Sequence, residues 1–156
     1  MNQKYIVFGS PDYGEDEINE VIDTLKSGWI GTGPKTQKFE KMFKTYKQSK
    51  YSVALNSCTA ALHLSIKSIG LNPGDEVIIP TMTFAATANS IIHAGGIPIF
   101  ADSEKETENI DIDSIREKIT SHTKAIIPVH FAGRPCDIKG IMEIAKEYKL
   151  KVIEDC

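Results

Sequence analysis

The sequence has 156 residues, of which 41% are hydrophobic and 25% charged, and its formal net charge is -3 at pH 7. These values are typical of a globular domain with a core, and they give no reason to expect a nucleic-acid or anionic-membrane partner. No apolar run approaches the roughly 18 residues of a membrane-spanning helix, and the N-terminus lacks the pattern of a signal peptide. Cys58, Cys136 and Cys156 are far apart and fit neither a disulfide framework nor a zinc site, which predicts a cytoplasmic protein.

Residues 1–48 are expected to form an N-terminal helical segment. Apolar residues recur at helical spacing in two stretches, which predicts two amphipathic helices, and the aromatic residues of the second are expected to pack in a core. The stretches contain Ile18, Val21, Ile22 and Leu25 in the first and Phe39, Met42, Phe43 and Tyr46 in the second. The glycine-rich connection between them, from Gly28 to Pro34, contains Trp29 and Thr32 and is a better candidate for binding than the helices are.

The stretch from Tyr51 to Gly70 predicts a strand that turns into a helix. Its first part alternates like a strand through residue 55, and its second part has apolar residues at helical spacing. Small polar residues at positions 56–59 lie between the two parts. Ser or Thr there is able to cap the helix, and the free N–H groups at a helix start also form an anion site. The residues alone leave a plain cap and a phosphate site equally open.

The remainder of the chain alternates strand and helix. Short apolar strands separated by helices predict a mostly parallel α/β sheet with helices on both faces, here in a large domain over residues 49–156. The elements expected are strands over 77–79, 97–101, 125–129 and 152–154, helices over 83–94, after Asp111 and after Asp137, and a type II turn over 72–75. The inward face of the last helix is expected to hold Ile138, Ile141, Met142, Ala145 and Tyr148.

The carboxyl ends of parallel strands meet at one edge of such a sheet, where ligands bind. The residues predicted at this edge are Asn56 to Thr59, Pro80 to Phe84, Asp102, His130 and Asp155. The sequence has no nucleophile elbow, no Walker loop and no dinucleotide fingerprint, and its histidines lack metal-ligand spacing. A phosphate site, an aromatic ring and an acid at three strand ends instead suit pyridoxal phosphate.

Each of these residues also has a simpler interpretation. The cofactor phosphate would lie on the N–H groups of Cys58 and Thr59, Phe84 would stack on the ring, and Asp155 would face the pyridine nitrogen. Taken singly, however, a core position for Phe84 and a helix cap for Asp155 are the favoured interpretations.

Five sequence segments carry a resemblance to a known family. They are S-G-W-I-G-T-G-P-K-T-Q-K-F-E (27–40), A-L-N-S-C-T-A-A-L-H-L (54–64), P-G-D-E-V-I-I-P-T-M-T-F-A-A-T-A-N (73–89), K-A-I-I-P-V-H-F-A-G-R-P-C-D (124–137) and V-I-E-D-C (152–156). In these the chain resembles the nucleotide-sugar aminotransferases of the DegT/StrS type, which have fold type I and use pyridoxal phosphate. The resemblance implies that Cys58 and Thr59 bind the phosphate, Phe84 stacks on the ring and Asp155 pairs with its nitrogen. Many relatives have Gly in place of Cys58, and a backbone contact survives that change.

The same resemblance implies a function and partners. The complete protein is expected to move an amino group from an amino acid, glutamate, to a keto sugar carried on a nucleotide, for surface polysaccharide or amino-sugar biosynthesis. Trp29 and Thr32 are expected near the sugar, in a loop at a subunit boundary, and the full-length protein is expected to be a homodimer.

One family feature has no counterpart in the sequence. The family's Schiff-base lysine lies downstream of V-I-E-D, and none of the lysines present matches it, so no catalytic residue is assigned here. We therefore expect the 156 residues to be the N-terminal part of an aminotransferase and to be inactive alone. The alternatives are a sugar dehydratase of the same family, with His at the lysine position, and a non-catalytic, regulatory or split-half protein that binds pyridoxal phosphate.

Overall fold

The computed structural model describes residues 9–156, so the first eight residues of the predicted segment 1–48 lie outside the described part. The described residues divide into two compact units, one ending at Ala54 and the other running from Leu55 to Cys156. The first unit contains helices α1 (Glu15–Ser27) and α2 (Pro34–Lys47), as the apolar spacing predicts. Helix α1 ends at Gly28, whose φ of 74° is a left-handed conformation that favours glycine.

The prediction that the aromatic face of α2 packs in a core is wrong. Neither α1 nor α2 has a buried residue, and the side chains of Phe39, Met42, Phe43 and Tyr46 are 47–82% exposed. Phe39 and Phe43 contact one another with ring centroids 5.9 Å apart. Helical spacing predicts a face that prefers burial, but no element of the described residues covers this one.

The second unit has the predicted α/β architecture. Its elements in chain order are α3 (Cys58–Ser68), β1 (Glu76–Pro80), α4 (Ala85–Ala94), β2 (Ile97–Ala101), α5 (Ile112–Lys118), β3 (Thr123–Ile126), α6 (Ile138–Tyr148) and β4 (Lys151–Val152). The strands pair in parallel in the order β2-β1-β3-β4, which confirms the parallel sheet. Asp111 and Asp137 cap α5 and α6 as predicted, each by accepting a backbone N–H bond.

Two hydrophobic cores cover the two faces of this sheet. Val77 and Ile79 of β1 pack with α3 and α4, whereas Ile78 between them packs with α5 and α6. This alternation follows from the pleat of the strand, which points successive side chains to opposite faces. All three side chains are fully buried, so the sheet is covered on both sides at β1, as this apolar strand predicts, whereas Ile97 and Phe100 of the edge strand β2 are exposed.

Some boundaries differ from the sequence predictions. Residues 51–55 form no strand, and Tyr51 and Val53 are 75% and 73% exposed, because alternation favours a strand only where a neighbouring strand is available to pair with it. Strands β3 and β4 are shorter than predicted, and an isolated bridge between Val129 and Asp155 follows them. On α6 the buried residues include Ile144, whereas Met142 is 51% exposed and Tyr148 43% exposed, so the inward face is rotated from the predicted one.

Within residues 9–156, no helix has the length and apolar character needed to cross a membrane.

Candidate functional site

The candidate site lies at the carboxyl edge of the sheet, where the strand order changes direction. The chain passes from β1 to β2 on one side and then to β3 on the other side of β1. In parallel α/β sheets such a switch point leaves a crevice between the two diverging connections, and ligands bind there. The connection after β1 leads to Thr83 and Phe84, and the connection after β3 leads to Val129 and His130.

Asp155 is fixed beside the connection after β3 by its own backbone. Its N–H donates to the carbonyl oxygen of Pro128 at 2.9 Å, and its carbonyl oxygen accepts from the N–H of His130 at 3.0 Å. These two bonds continue the pairing of β3 with β4 past the ends of both strands. The backbone of Asp155 is therefore fixed at the sheet edge independently of any contact of its side chain.

The carboxylate of Asp155 joins three separate elements. Its Oδ2 accepts a hydrogen bond from the hydroxyl of Thr87, on α4, at 2.9 Å. Its Oδ1 accepts a longer bond from the thiol of Cys58, at the start of α3, with 3.5 Å between the two atoms. The start of α3, the start of α4 and the segment that follows β4 thus meet at one carboxylate, as the predicted edge requires.

A second threonine stands behind Thr87. The hydroxyl oxygens of Thr83 and Thr87 are 2.7 Å apart, and Thr87 is fully buried. Because a carboxylate only accepts hydrogen bonds, Thr87 donates its proton to Asp155, and Thr83 therefore donates to Thr87. The two hydroxyls form a chain of bonds in one direction that ends on the carboxylate.

The start of helix α3 has the features expected of an anion site. Ser57 caps the helix by accepting a bond from the N–H of Ala60 at 3.1 Å. The N–H groups of Cys58 and Thr59 come next, at helical positions that have no acceptor within the helix itself, and both residues are exposed. A plain cap and a place for an anion therefore coexist here, because Ser57 uses only one of the free donors.

The Cys58 thiol remains protonated at neutral pH. The residue is exposed as a whole, but partial loss of water around its sulfur raises the pKa of the thiol above the usual range, and the nearby Asp155 carboxylate raises it further, through its charge and the hydrogen bond. A thiolate at this point would repel the carboxylate, so the thiol acts as a weak donor and not as a nucleophile.

Phe84 is not a core residue. It precedes the first turn of α4, and its side chain is 80% exposed. An uncovered aromatic ring next to Thr83 and Thr87 presents a flat face at the same edge of the sheet. Such a face is able to stack on a planar ligand.

The loop after His130 is fixed by a buried asparagine. Asn109 is 3% exposed; its Nδ2 donates to the carbonyl oxygens of Arg134 and Pro135 at 3.2 and 3.0 Å, and its Oδ1 accepts from the N–H of Phe131 at 3.1 Å. Three bonds from one side chain thus hold residues 131–135 in place next to the site.

His130 itself makes two side-chain contacts within this edge. Its Nδ1 accepts from the N–H of Cys136 at 3.0 Å, so the neutral ring carries its proton on Nε2, which lies 2.9 Å from Glu154 Oε2. Asp102, also predicted at the edge, follows β2, and its Oδ1 accepts from the N–H of Ser103 at 3.2 Å. Neither residue has a hydrogen bond to Asp155 through its side chain in the described structure.

Trp29 and Thr32 belong to the first unit. The indole N–H of Trp29 donates to the carbonyl oxygen of Thr32 at 2.9 Å, which closes the loop on itself. A Cβ at Gly33 would lie 2.1 Å from the indole nitrogen, so only glycine allows the ring to lie there. The loop borders a cavity of about 390 Å³, lined by residues that include Ser27, Pro34, Lys35 and Thr36.

Sequence reasoning missed Thr87 and Asn109, and it placed Thr83 at the edge only as part of the segment from Pro80 to Phe84, without a role of its own. The two threonines lie four residues apart on either side of Phe84, a spacing that brings side chains together at a helix start. That spacing was available in the sequence, but the partner of Thr87 is 68 residues away and only the fold reveals it. In the part of the chain described, no group of His, Cys, Asp and Glu side chains has the arrangement of a metal site.

The chain is similar in sequence to proteins of one aminotransferase family. The sequence profile of the DegT/DnrJ/EryC1/StrS aminotransferase family matches residues 11–156. The uncharacterized protein MJ1066 of Methanocaldococcus jannaschii is 56% identical over 145 residues, which are 93% of this chain and 38% of that protein. The spore coat polysaccharide biosynthesis protein SpsC of Bacillus subtilis is 48% identical over 151 residues, 97% of this chain and 39% of that protein.

A solved structure extends this similarity to the fold. The PMP-form of the putative sugar aminotransferase Spr1654 from Streptococcus pneumoniae superposes with a TM-score of 0.90 and is 39% identical. The match covers 97% of this chain and 42% of Spr1654. The chain therefore spans about two fifths of the length of the proteins that it matches.

Proposed function

Because the chain belongs to the DegT/DnrJ/EryC1/StrS aminotransferase family, we propose that it provides the cofactor site of a pyridoxal phosphate-dependent sugar aminotransferase. The proposed reaction moves an amino group from an amino acid, glutamate, to a keto sugar carried on a nucleotide. The names of two relatives, a polysaccharide biosynthesis protein and a putative sugar aminotransferase, support a role in surface polysaccharide or amino-sugar biosynthesis.

The observation that carries the proposal is the meeting of three elements at Asp155. Its carboxylate contacts Cys58 at the start of α3 and Thr87 on α4, close in sequence to the exposed ring of Phe84. An anion-binding helix start, a free aromatic face and a carboxylate match the phosphate, the flat ring and the ring nitrogen of pyridoxal phosphate. The donors and acceptors present therefore fit the cofactor.

The phosphate is proposed to lie at the start of α3. The N–H groups of Cys58 and Thr59 point out of the helix start, and the hydroxyl of Thr59 provides a further donor. The helix dipole adds to this, since a negative group at a helix start gains about 0.3–1 kcal/mol at an exposed site. Backbone donors do not depend on the side chain at position 58, so Cys is as suitable there as Gly.

The ring is proposed to lie between Phe84 and Asp155. Offset stacking on Phe84 contributes about 0.5–1.5 kcal/mol beyond the area that it buries. Asp155 accepts a hydrogen bond from the ring nitrogen and keeps that nitrogen protonated. When bound, the cofactor supplies an electron sink for the amino transfer, and this function depends on the protonated nitrogen.

The remaining features belong to the complete enzyme. Trp29 and Thr32 are proposed to contact the sugar substrate at a subunit boundary of a homodimer in the cytoplasm. The closed loop of these residues and the cavity beside it support a binding role. We also propose that this N-terminal segment ends at residue 48 and that the cofactor-binding domain begins at residue 49.

The experiment follows amino transfer directly. The protein in its natural length, supplied with pyridoxal phosphate, glutamate and a nucleotide-linked 4-keto sugar, is expected to yield an amino sugar and 2-oxoglutarate, detected by mass spectrometry. A product that has lost water without gaining nitrogen would instead identify a dehydratase. Failure to bind the cofactor at all would refute the proposal.

A matched assay concerns residues 1–156 by themselves. None of their lysines lies in the family's lysine motif, and without that amine no residue is present to take and return the proton during transfer. We expect this polypeptide to produce no amino sugar under the same conditions, and turnover at the rate of the natural-length protein would contradict that expectation.

A further inference from the structure

The paired hydroxyls of Thr83 and Thr87 have no place in the proposed contacts with the cofactor. Thr87 is fully buried, and its Oγ1 is 2.9 Å from Asp155 Oδ2 and 2.7 Å from Thr83 Oγ1. We propose that Thr87 is a positioning residue for the cofactor's ring nitrogen, because it fixes the rotation of the Asp155 carboxylate, and that Thr83 fixes Thr87 in turn. This inference rests on the proposed function.

The backbone bonds of Asp155 explain why its side chain needs a partner. Its N–H and carbonyl oxygen are already bound to Pro128 and His130, so the main chain stays in place without Thr87. What those bonds leave open is rotation of the carboxylate about the side-chain bonds. A hydrogen bond to Oδ2 removes that freedom and aims Oδ1 in one direction.

The two carboxylate oxygens are held with different strength. Oδ2 has a hydroxyl donor at 2.9 Å, whereas Oδ1 has only the thiol of Cys58 at 3.5 Å. A thiol is a weak donor, so Oδ1 keeps most of its capacity to accept. Oδ1 is therefore the oxygen that we assign to the ring N–H, and Thr87 serves the oxygen that faces away from it.

Both threonines belong to the segment that presents Phe84. The N–H of Thr87 donates to the carbonyl oxygen of Phe84 at 3.1 Å, within the first turn of α4. The stacking face and the partner of Asp155 are thus carried by one rigid helix start. One helix start would therefore fix both the position of the cofactor ring against Phe84 and the direction of its ring nitrogen toward Asp155.

The test compares two probes in the natural-length protein. Pyridoxamine phosphate binds without a covalent bond, so its dissociation constant reports the contacts of the site alone. The second probe is the analogue in which a C–H group replaces the ring nitrogen; it keeps the phosphate and the ring but has no N–H for Asp155. Both are titrated by fluorescence into wild type, Thr87→Val, Thr87→Ser and Thr83→Val, each first checked for folding by circular dichroism.

We expect Thr87→Val to weaken binding of pyridoxamine phosphate about tenfold, because a misplaced Asp155 carboxylate loses its hydrogen bond from the ring N–H, and one hydrogen bond to a charged group has about that value. The affinity of the analogue, which lacks that N–H, is expected to stay within about twofold. Thr87→Ser keeps the hydroxyl and is expected to retain wild-type affinity for both probes. Thr83→Val removes only the outer donor, so a smaller loss, again confined to pyridoxamine phosphate, is expected.

The remaining outcomes separate the two ideas. If Thr87→Val weakens both probes equally, or neither, its role is structural or absent and the inference is overturned while the proposed function stands. A wild-type protein that binds both probes equally would also overturn it, since Asp155 would then make no contact with the nitrogen. Failure of wild type to bind either probe would refute the proposed function, and the inference with it.

Discussion

Replacing Asn109 by alanine is expected to release the loop that follows His130. Asn109 is 3% exposed, and its side-chain amide bonds the backbone of Phe131, Arg134 and Pro135. No other side chain of the described structure bonds those same three backbone groups. The substitution removes all three bonds in one step and puts nothing in their place.

The expected loss follows from the number of bonds. An intramolecular hydrogen bond contributes about 1 kcal/mol net, because the unfolded chain bonds to water instead. For the bonds to Phe131, Arg134 and Pro135 the sum is about 3 kcal/mol. Arg134 and Pro135 are exposed, so water is able to reach their carbonyl groups once the amide is gone, which keeps the loss from rising above that sum.

The assay is urea unfolding of wild type and of Asn109→Ala at neutral pH, with circular dichroism as the signal of unfolding. Asn89→Ala is the matched control: Asn89 is exposed on α4, and alanine is the better helix former there, so this variant is expected to be as stable as wild type or slightly more stable. A loss below about 0.5 kcal/mol for Asn109→Ala would show that its bonds contribute little, and would refute the reasoning.

Two further predictions concern a pH dependence and the substrate loop. The N–H of Asn72 and, more weakly, the Lys124 charge lower the pKa of the buried Asp75 carboxyl, so its contribution to stability is present above the unfolded pKa and is lost as the pH falls through the lower folded value. Asp75→Asn is therefore expected to be less stable than wild type at neutral pH, with a difference in urea midpoint that vanishes in acid; a difference that stays constant with pH would contradict this. Gly33→Ala is expected to displace the indole of Trp29, the single tryptophan of the chain, because the new Cβ would lie 2.1 Å from its nitrogen. Changed tryptophan fluorescence and a raised KM for the sugar should accompany unchanged affinity for pyridoxamine phosphate, and unaltered fluorescence would count against the steric argument.

The sequence predicts the second unit well, because its signals are local. Asp111 and Asp137 cap the helices they precede, and apolar runs such as 77–79 form strands with both faces buried. These features depend on spacing and on single side chains, both of which are visible in the sequence.

Predictions that depend on a distant partner were less successful. The alternation of residues 51–55 predicts a strand, but no pairing forms there among the described residues. The aromatic spacing of α2 predicts a helix correctly and a core incorrectly, since burial depends on what covers the face. Thr87 has no local mark of its contact with Asp155, which the sheet topology creates.

The most direct test of the central claim is a crystal structure of the natural-length protein with pyridoxamine phosphate. The account predicts the phosphate within hydrogen-bond distance of the N–H groups of Cys58 and Thr59, the ring on Phe84 and the ring nitrogen on Asp155 Oδ1. A cofactor bound with its phosphate away from α3, or with its nitrogen away from Asp155, would contradict it.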